Sequence, residues 1–205
     1  MSDASPPRAY HHGNLREALL AGAERILERD GADALTLRAA ARAVGVTHAA
    51  PRNHFGDLTG LLSELAAVGH RRFAAALAAA AEAAGPDPIA RRRAVGRAYV
   101  RFAADNPGLF TLMFRSERLD AGRPALRDAI AKSRASLQSI ASRPGVGAHP
   151  PLDGMAAAVG LWSLVHGFAV LLLDGRLEGT LAALPGTTPD SLFDAMLSTL
   201  TLKEP

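Results

Sequence analysis

The sequence predicts an all-α protein with about nine helices. Three observations point to this class: alanine accounts for 43 of the 205 residues, only 5% of the residues are aromatic, and apolar residues recur at the three- and four-residue spacing of helices. We find no segment with the two-residue alternation of a half-buried strand. The chain has no cysteine, which excludes disulfide frameworks, thiol catalysis and thiolate metal sites.

Four consecutive helices are predicted in the N-terminal part of the chain. The first ends at Gly31, the second has about two turns and ends at Gly45, the third spans residues 48–55, and the fourth continues to about residue 84. Each begins with a side chain that can accept a hydrogen bond from the backbone N–H groups of the first turn. These capping residues are Asn14, Thr36, Thr47 and Asp57.

Five further helical segments are predicted after a Gly-Pro-Asp-Pro break at residues 85–88. One of them, residues 155–173, carries no formal charge and approaches the length of a bilayer span. Because it stands alone and contains polar residues, we expect a buried or interfacial helix rather than a membrane span. No apolar signal sequence is visible at the N-terminus, so we expect a cytoplasmic protein. The other segments are residues 88–105, 109–114 and 124–142, and a last helix opened by Thr188-Pro189-Asp190.

The second and third helices have the order of a helix-turn-helix DNA reader, because they are short, are joined at Gly45 and are braced by a helix on either side. Between residues 36 and 56 the chain has three arginines and no acidic residue, although its net charge is only +3. Arginine can hold phosphate or read guanine, and Asn53 and His48 can bond base edges. The alternative is that these are merely the solvated faces of small helices.

Four motifs stand out in the N-terminal part: Tyr10-His11-His12-Gly13-Asn14-Leu15-Arg16, Thr36-Leu37-Arg38, Gly45-Val46-Thr47 and His54-Phe55-Gly56. Together they resemble the N-terminal domain of the TetR family of transcriptional regulators, over about residues 10–70. Two further motifs resemble a C-terminal ligand-binding domain found in one branch of that family. They are Asn106-Pro107-Gly108-Leu109-Phe110, and Trp162 with His166-Gly167.

The resemblance implies a homodimer that places its third helix in the major groove of a pseudo-palindromic operator in double-stranded DNA, with half-sites about 34 Å or a multiple apart. It divides the chain into a flexible arm (residues 1–14), a helix-turn-helix DNA-binding domain (15–70) and a ligand-binding and dimerisation domain (71–205). Arg52 and Leu58 replace a tyrosine and a lysine that anchor the DNA backbone in most members, so we expect Arg52 and Thr59 to take over that role. The implied DNA-contacting residues are Thr36, Arg38, Thr47, His48, Ala49, Ala50, Arg52, Asn53, His54 and Thr59.

Trp162 and His166 lie one helical turn apart and therefore share a face of the uncharged helix. They can line an apolar pocket for a small-molecule effector. Alternatively, they are core or dimer-interface residues whose polar groups are satisfied within the protein. The candidate pocket residues are Tyr99, Phe102, Phe110, Met113, Phe114, Trp162 and His166.

Gly160 and Gly167 allow another helix to approach the uncharged helix closely, and the last helix carries an apolar stripe at helical spacing. These two features predict a helix-pair interface, which two-fold symmetry would turn into a four-helix bundle. The residues assigned to this interface are Gly160, Gly167, Phe193, Met196, Leu197 and Leu200.

These features predict a dimeric DNA-binding regulator, a repressor released by a small, largely apolar effector. An activator, or a regulator without a ligand, is the alternative. A small helical enzyme is a further one, although no set of nucleophile, base or metal ligands is recognisable. We expect no cofactor and no metal, because the adjacent His11 and His12 lack an acidic neighbour and the i, i+4 spacing of helical metal ligands. A basic stripe, expected to be solvated and partly paired with Asp105, is formed by Arg93, Arg97 and Arg101.

Overall fold

The computed structural model describes residues 12–114, 116–141 and 150–201, and within these ranges it contains ten α-helices, one 3₁₀ helix at Ser116–Arg118 and no strand. The all-α prediction is therefore confirmed. The predicted arm lies outside the described residues as far as residue 11. The helices are α1 (His12–Asp30), α2 (Leu37–Ala43), α3 (Ala50–Phe55), α4 (Leu58–Ala83), α5 (Pro88–Asp105), α6 (Pro107–Phe114), α7 (Pro124–Ala141), α8 (Pro150–Leu173), α9 (Glu178–Ala182) and α10 (Pro189–Thr201).

Two of the four predicted N-terminal caps are confirmed. The Thr36 hydroxyl accepts a hydrogen bond from the Ala39 N–H at 3.0 Å, at the start of α2. The Asp57 carboxylate accepts one from the Gly60 N–H at 2.7 Å, at the start of α4. Both satisfy backbone donors that have no partner within the helix.

The other two predicted caps are wrong. α1 begins at His12, so Asn14 lies inside the helix instead of capping it. α3 begins at Ala50 without a side-chain cap, because the chain first makes a turn in which the Thr47 carbonyl accepts a hydrogen bond from the Ala50 N–H at 3.1 Å. The short helix α9 is also absent from the prediction, since its five residues are too few to show helical periodicity.

The turn between α2 and α3 fixes the position of the second short helix. Gly45 has a φ of +71°, a left-handed conformation that glycine adopts without steric cost. Beneath the turn, Leu19 and Ala23 of α1, Leu35 and Phe55 are fully or almost fully buried. The helix-turn-helix unit therefore rests on an apolar base supplied by α1.

α4 runs through both halves of the molecule. It packs against α1 and α3 near its N-terminus and against α5, α6 and α7 along the rest of its length. Its buried side chains extend from Leu61 to Ala81, within one continuous hydrophobic core. The predicted domain boundary between residues 70 and 71 falls in the middle of this helix, so the two predicted domains share a helix and a core.

α10 is tied to α5 by two ion pairs. Arg97 Nε lies 2.6 Å from Asp194 Oδ1, and Arg101 Nη2 lies 3.2 Å from Asp190 Oδ2. The basic stripe was expected to pair with Asp105 on its own helix. These two arginines instead reach across to the carboxylates of α10.

α8 leaves most of its apolar surface uncovered within the protomer. Among the described residues, Gly154–Leu173 is the one segment that is long and apolar enough to cross a membrane, by length and composition only. Only 17% of its most apolar window is buried, although a core helix of a soluble protein is mostly buried. The exposed large side chains are Leu152, Met155, Val159, Trp162, Val170 and Leu171.

Candidate DNA-reading surface and ligand cavity

The ten residues predicted to contact DNA lie between residues 36 and 59, and we call this set the basic surface. Ala50 and His54 are half-buried, and the other eight are exposed. α3 turns Pro51 and Phe55 inward, and its other side chains are exposed or half-buried. The predicted residues are therefore accessible, and their contact with DNA stays a prediction.

The arginines of this region have no competing partners. Arg38 and Arg42 on α2 and Arg52 on α3 are exposed, and none of them forms an ion pair or a hydrogen bond with another residue that the structure describes. No acidic side chain lies between residues 36 and 56. The guanidinium groups are consequently free to bind phosphates or base edges.

The first turn of α4 borders the basic surface. Leu58 is half-buried against the hydrophobic core and offers no polar group to a phosphate. Thr59 beside it is exposed. The expectation that Arg52 and Thr59 take over the anchoring role stays a prediction.

A cavity of about 660 Å³ lies among α4, α5, α7 and α8, with α6 and α10 completing its wall. Most of its lining is apolar, which suits a small organic molecule. The described lining residues that carry polar groups are His70, Arg92, Tyr99, Ser133, Arg134 and Trp162.

Four of the seven predicted pocket residues line this cavity: Tyr99, Met113, Phe114 and Trp162. The other three predicted residues do not line the cavity. Phe102 and Phe110 are buried in an aromatic cluster, where the ring of Phe102 lies 5.2 Å from that of Phe73 and the ring of Phe110 lies 5.8 Å from that of Tyr99. His166 is also outside the lining and contacts Tyr99 instead.

Tyr99, Trp162 and His166 form a hydrogen-bonded group at the wall. Trp162 Nε1 donates to the Tyr99 hydroxyl at 3.3 Å, and that hydroxyl lies 2.8 Å from His166 Nδ1. The Tyr99 hydroxyl accepts from the indole N–H, so its own proton is available for donation to the Nδ1 of a neutral His166. Burial raises the pKa of Tyr99 and lowers the pKa of His166, so both groups stay uncharged at neutral pH.

A second polar pair, His70 and Ser133, was not predicted from the sequence. His70 Nδ1 lies 3.0 Å from Ser133 Oγ, which also lies 3.0 Å from the Ile130 carbonyl oxygen. Burial lowers the pKa of His70 to about 4. The sequence does contain a signal for this pair, because His70 lies three residues before Phe73 and seven before Leu77 on the buried stripe of α4. A polar residue on an apolar stripe indicates a buried polar group that needs a partner.

The residues assigned to the dimer interface divide into two groups. A β-carbon at Gly160 or Gly167 would meet no atom within 4 Å, so both glycines face open space on the uncovered side of α8. Phe193 is fully buried and Leu197 nearly so within the protomer, where Phe193 packs against Gly96 and Leu197 lines the cavity. These two side chains are therefore part of the internal core. Met196 is half-buried, and the side chain of Leu200 lies outside the described part of the chain.

Two contacts join the cavity wall to the helix-turn-helix unit. The Glu28 carboxylate of α1 accepts hydrogen bonds from the Gly108 and Leu109 N–H groups at 2.9 and 2.8 Å, at the N-terminus of α6. Arg123, just before α7, donates from Nη2 to the Phe55 carbonyl at 3.0 Å, at the C-terminus of α3. α6 and α7 both supply lining residues. The first contact therefore connects the cavity wall to α1, and the second connects it to the end of α3.

The loop that carries Arg123 is itself anchored on α4. The Asp120 N–H donates to the buried Ser63 hydroxyl at 2.9 Å, and a β-carbon at Gly60 would lie 2.5 Å from Arg123 Nη2. It would also lie 2.0 Å from the Phe55 carbonyl oxygen, a backbone atom, so position 60 requires glycine where α3 meets α4.

Among the described residues we find no group of three potential metal ligands. The expectation that His11 and His12 bind no metal concerns side chains that lie outside the described residues.

Comparisons with known proteins match this architecture. The family model described as the tetracyclin repressor-like C-terminal domain matches residues 92–200. A solved structure of a protein of unknown function from Rhodococcus sp. RHA1 is 35% identical, with 94% of this chain and 96% of that chain covered and a TM-score of 0.77. No curated protein gives a significant match.

More distant solved structures share the fold. A bacterial regulatory protein of the TetR family from Rhodococcus RHA1 is 18% identical, with 90% of this chain and 94% of that chain covered and a TM-score of 0.61. The TetR-family transcriptional regulator PfmR from Thermus thermophilus is 19% identical, with 88% and 94% covered and a TM-score of 0.56. The matched family model covers more than half of the chain. The chain belongs to the TetR family of transcriptional regulators and is a DNA-binding transcription factor rather than an enzyme.

Proposed function

We propose that the protein is a repressor that binds a pseudo-palindromic operator as a homodimer and is released by a small, largely apolar effector. The observation that carries the proposal is the connection of an unpaired basic surface to an apolar cavity through one shared core. A DNA-binding surface and a ligand cavity give the two sites that allosteric regulation requires.

The basic surface supports the DNA-binding step. α3 is exposed on the side opposite Phe55, so it is accessible to a major groove. Arg38, Arg42 and Arg52 supply positive charge without a carboxylate nearby, which favours phosphate contacts, while Asn53 and His48 provide groups that can bond base edges.

The uncovered face of α8 supports the homodimer. Large apolar side chains and the open glycines Gly160 and Gly167 lie on this helix. A second copy of α8 would bury this surface and allow close helix packing at the glycines, as a two-fold interface requires. A water-soluble dimer thus accounts for the apolar segment without a membrane, and we place the protein in the cytoplasm.

The two contacts between the cavity wall and the reader support the release step. An effector that displaced α6 or α7 would act on Glu28 or Arg123, and through them on α1 or the C-terminus of α3. Since ligand and DNA would favour different spacings of the two readers, each would weaken the other's binding. Such coupling is typically about 1–3 kcal/mol, or roughly 5- to 150-fold in affinity.

The test is a fluorescence-anisotropy titration of the purified protein against operator DNA selected from a random library, in excess unrelated duplex and at about 150 mM salt. We expect binding that survives the competitor, with one dimer per pseudo-palindromic site. Arg52→Ala should weaken discrimination, whereas Arg91→Ala, which removes an exposed arginine on α5, should leave it unchanged. Failure to select any sequence would contradict the proposal.

A further inference from the structure

The charged side chains among the described lining residues of the cavity are all positive. Arg92 on α5 and Arg134 on α7 both line the cavity, and no aspartate or glutamate is among the lining residues that the structure describes. α5 and α7 pack against each other, so the two arginines approach the cavity from neighbouring walls. Arg134 is exposed and Arg92 is half-buried, which places their charge on the solvent side of an otherwise apolar space.

Neither arginine is neutralised within the described part of the protomer. Arg92 and Arg134 form no ion pair or hydrogen bond with another described residue. On the same helix as Arg92, by contrast, Arg97 and Arg101 pair with carboxylates of α10 at 2.6 and 3.2 Å. Because these two positive charges are uncompensated, the solvent side of the cavity attracts anions and repels cations.

The remaining polar groups of the lining need no charged ligand. Tyr99 and Trp162 are bonded to each other, and Nδ1 of His70 is bonded to Ser133. The buried Nε2 of His70 has no hydrogen-bond partner among the described residues, so it is a neutral polar group that a ligand can meet. Burial keeps His70 and Tyr99 uncharged at neutral pH. The two guanidinium groups are therefore the ionic groups that a ligand has to match, and the rest of the lining favours an apolar body.

We propose that the effector is an amphipathic organic anion, whose carboxylate binds Arg92 and Arg134 while its apolar part enters the cavity toward Phe73 and Trp162. This inference rests on the proposed function, since it names the chemical class of the ligand for the same cavity. Guanidinium groups bind carboxylates through charge-assisted, often bidentate hydrogen bonds. Such a ligand neutralises the cavity entrance, which a neutral or cationic molecule of the same shape does not.

The experiment uses the full-length protein and three probes of equal chain length: decanoate, 1-decanol and decyltrimethylammonium, each below its micelle concentration at pH 7.5. Trp162 is the only tryptophan of the chain and lines the cavity, so its fluorescence reports binding without DNA. We expect the Kd of decanoate to be at least about tenfold lower than those of the other two probes, as charge-assisted hydrogen bonds imply.

The matched variants are Arg92→Gln, Arg134→Gln and Arg91→Gln. Arg91 precedes Arg92 on α5, is exposed and is outside the cavity lining, so its substitution removes the same charge at a different place. Each cavity substitution should raise the Kd of decanoate about tenfold and leave that of decanol within about twofold. Arg91→Gln should change neither value by more than about twofold.

Three outcomes would overturn the inference: equal affinity for decanoate and decanol, binding of none of the three probes, or the same loss in Arg91→Gln as in Arg92→Gln. Anisotropy with operator DNA, measured on the same samples, separates this failure from failure of the proposed function. If the protein binds its operator and is released by decanol, the proposed function is supported and the anionic ligand class is contradicted. If it binds decanoate but no operator, the anion-binding cavity is supported and the repressor function is contradicted.

Discussion

The basic surface takes its ten residues from one stretch of chain, residues 36–59, whereas the cavity takes its lining from six helices between residues 70 and 197. The residues of the surface are mostly exposed and hold little else in place. Those of the cavity include Phe73 and Tyr99, which are almost fully buried in the core. We therefore expect substitutions in the basic surface to change DNA binding without changing folding, and substitutions in the cavity to change both the proposed ligand binding and stability.

The strongest test of the cavity's structural role is Phe73→Ala. Phe73 is fully buried, and its ring lies 4.8 Å from that of Tyr99 and 5.2 Å from that of Phe102. We expect the free energy of unfolding to fall by about 3–5 kcal/mol, as for other buried phenylalanines truncated to alanine. Urea unfolding followed by circular dichroism measures it, with Phe73→Leu as the milder control. A loss below about 1 kcal/mol would show that the cavity wall is not part of the core.

The pH dependence of stability is expected to come from the cavity side. Burial lowers the pKa of His70 to about 4 from 6.5, so between these values the unfolded chain binds a proton that the folded chain does not. The free energy of unfolding therefore falls as the pH drops below about 6.5, with a slope approaching about 1.4 kcal/mol per pH unit. Burial of His166 acts in the same direction.

Urea titrations at several pH values between 7 and 4 check this dependence. His70→Gln should reduce the slope relative to that of the unsubstituted protein. An equal slope in the two proteins would place the titrating group elsewhere.

The complementary test of the basic surface is Arg52→Ala. Arg52 is exposed and has no partner among the described residues, so its loss should change the free energy of unfolding by no more than about 0.5 kcal/mol. Operator affinity should fall by about 1–3 kcal/mol, roughly 5- to 150-fold. Anisotropy and thermal unfolding measure the two quantities on one sample. A large loss of stability, or intact operator discrimination, would contradict the separation of the two regions.

Arg123→Ala tests the contact that joins the regions. Removing the guanidinium leaves the Phe55 carbonyl without this donor, so we expect a stability loss of about 1 kcal/mol. Operator affinity should fall a few-fold, and the effect of ligand on that affinity should shrink. Arg127→Ala is the matched control, because Arg127 lies four residues further on, is exposed and, among the described residues, forms an ion pair only with its neighbour Asp128. Unchanged coupling in Arg123→Ala would assign the transmission to Glu28 and α6.

Much of the helix-turn-helix unit could be predicted because the sequence features that define its helix ends and its turn are local. Thr36 and Asp57 cap helices through hydrogen bonds within three residues, and Gly45 marks the turn by its own backbone conformation. The absence of acidic residues between residues 36 and 56 is also visible in the sequence alone. Thr47 is misleading, because a residue of capping type can equally begin a turn before a helix.

The cavity and interface were harder to predict because periodicity identifies a helix face but not what that face contacts. Phe102 lies three residues after Tyr99, as expected for a shared face, yet it packs behind the wall instead of lining the cavity. Phe193 was assigned to the dimer interface and is buried against Gly96, almost a hundred residues away in the sequence. Such pairings depend on tertiary packing, which local spacing does not encode.

The continuity of α4 limits how this regulator can be re-engineered by exchanging parts. A chimera cut at residue 70 would sever a 26-residue helix and leave Phe73 and Leu77, both fully buried, facing a foreign surface. It would also separate the end of α3 from Arg123. A helix-turn-helix unit moved to another protein would have to include the whole of α4, together with its contacts from α6 and the segment before α7. A new DNA specificity is therefore more safely introduced by substituting residues of α3 within this protein.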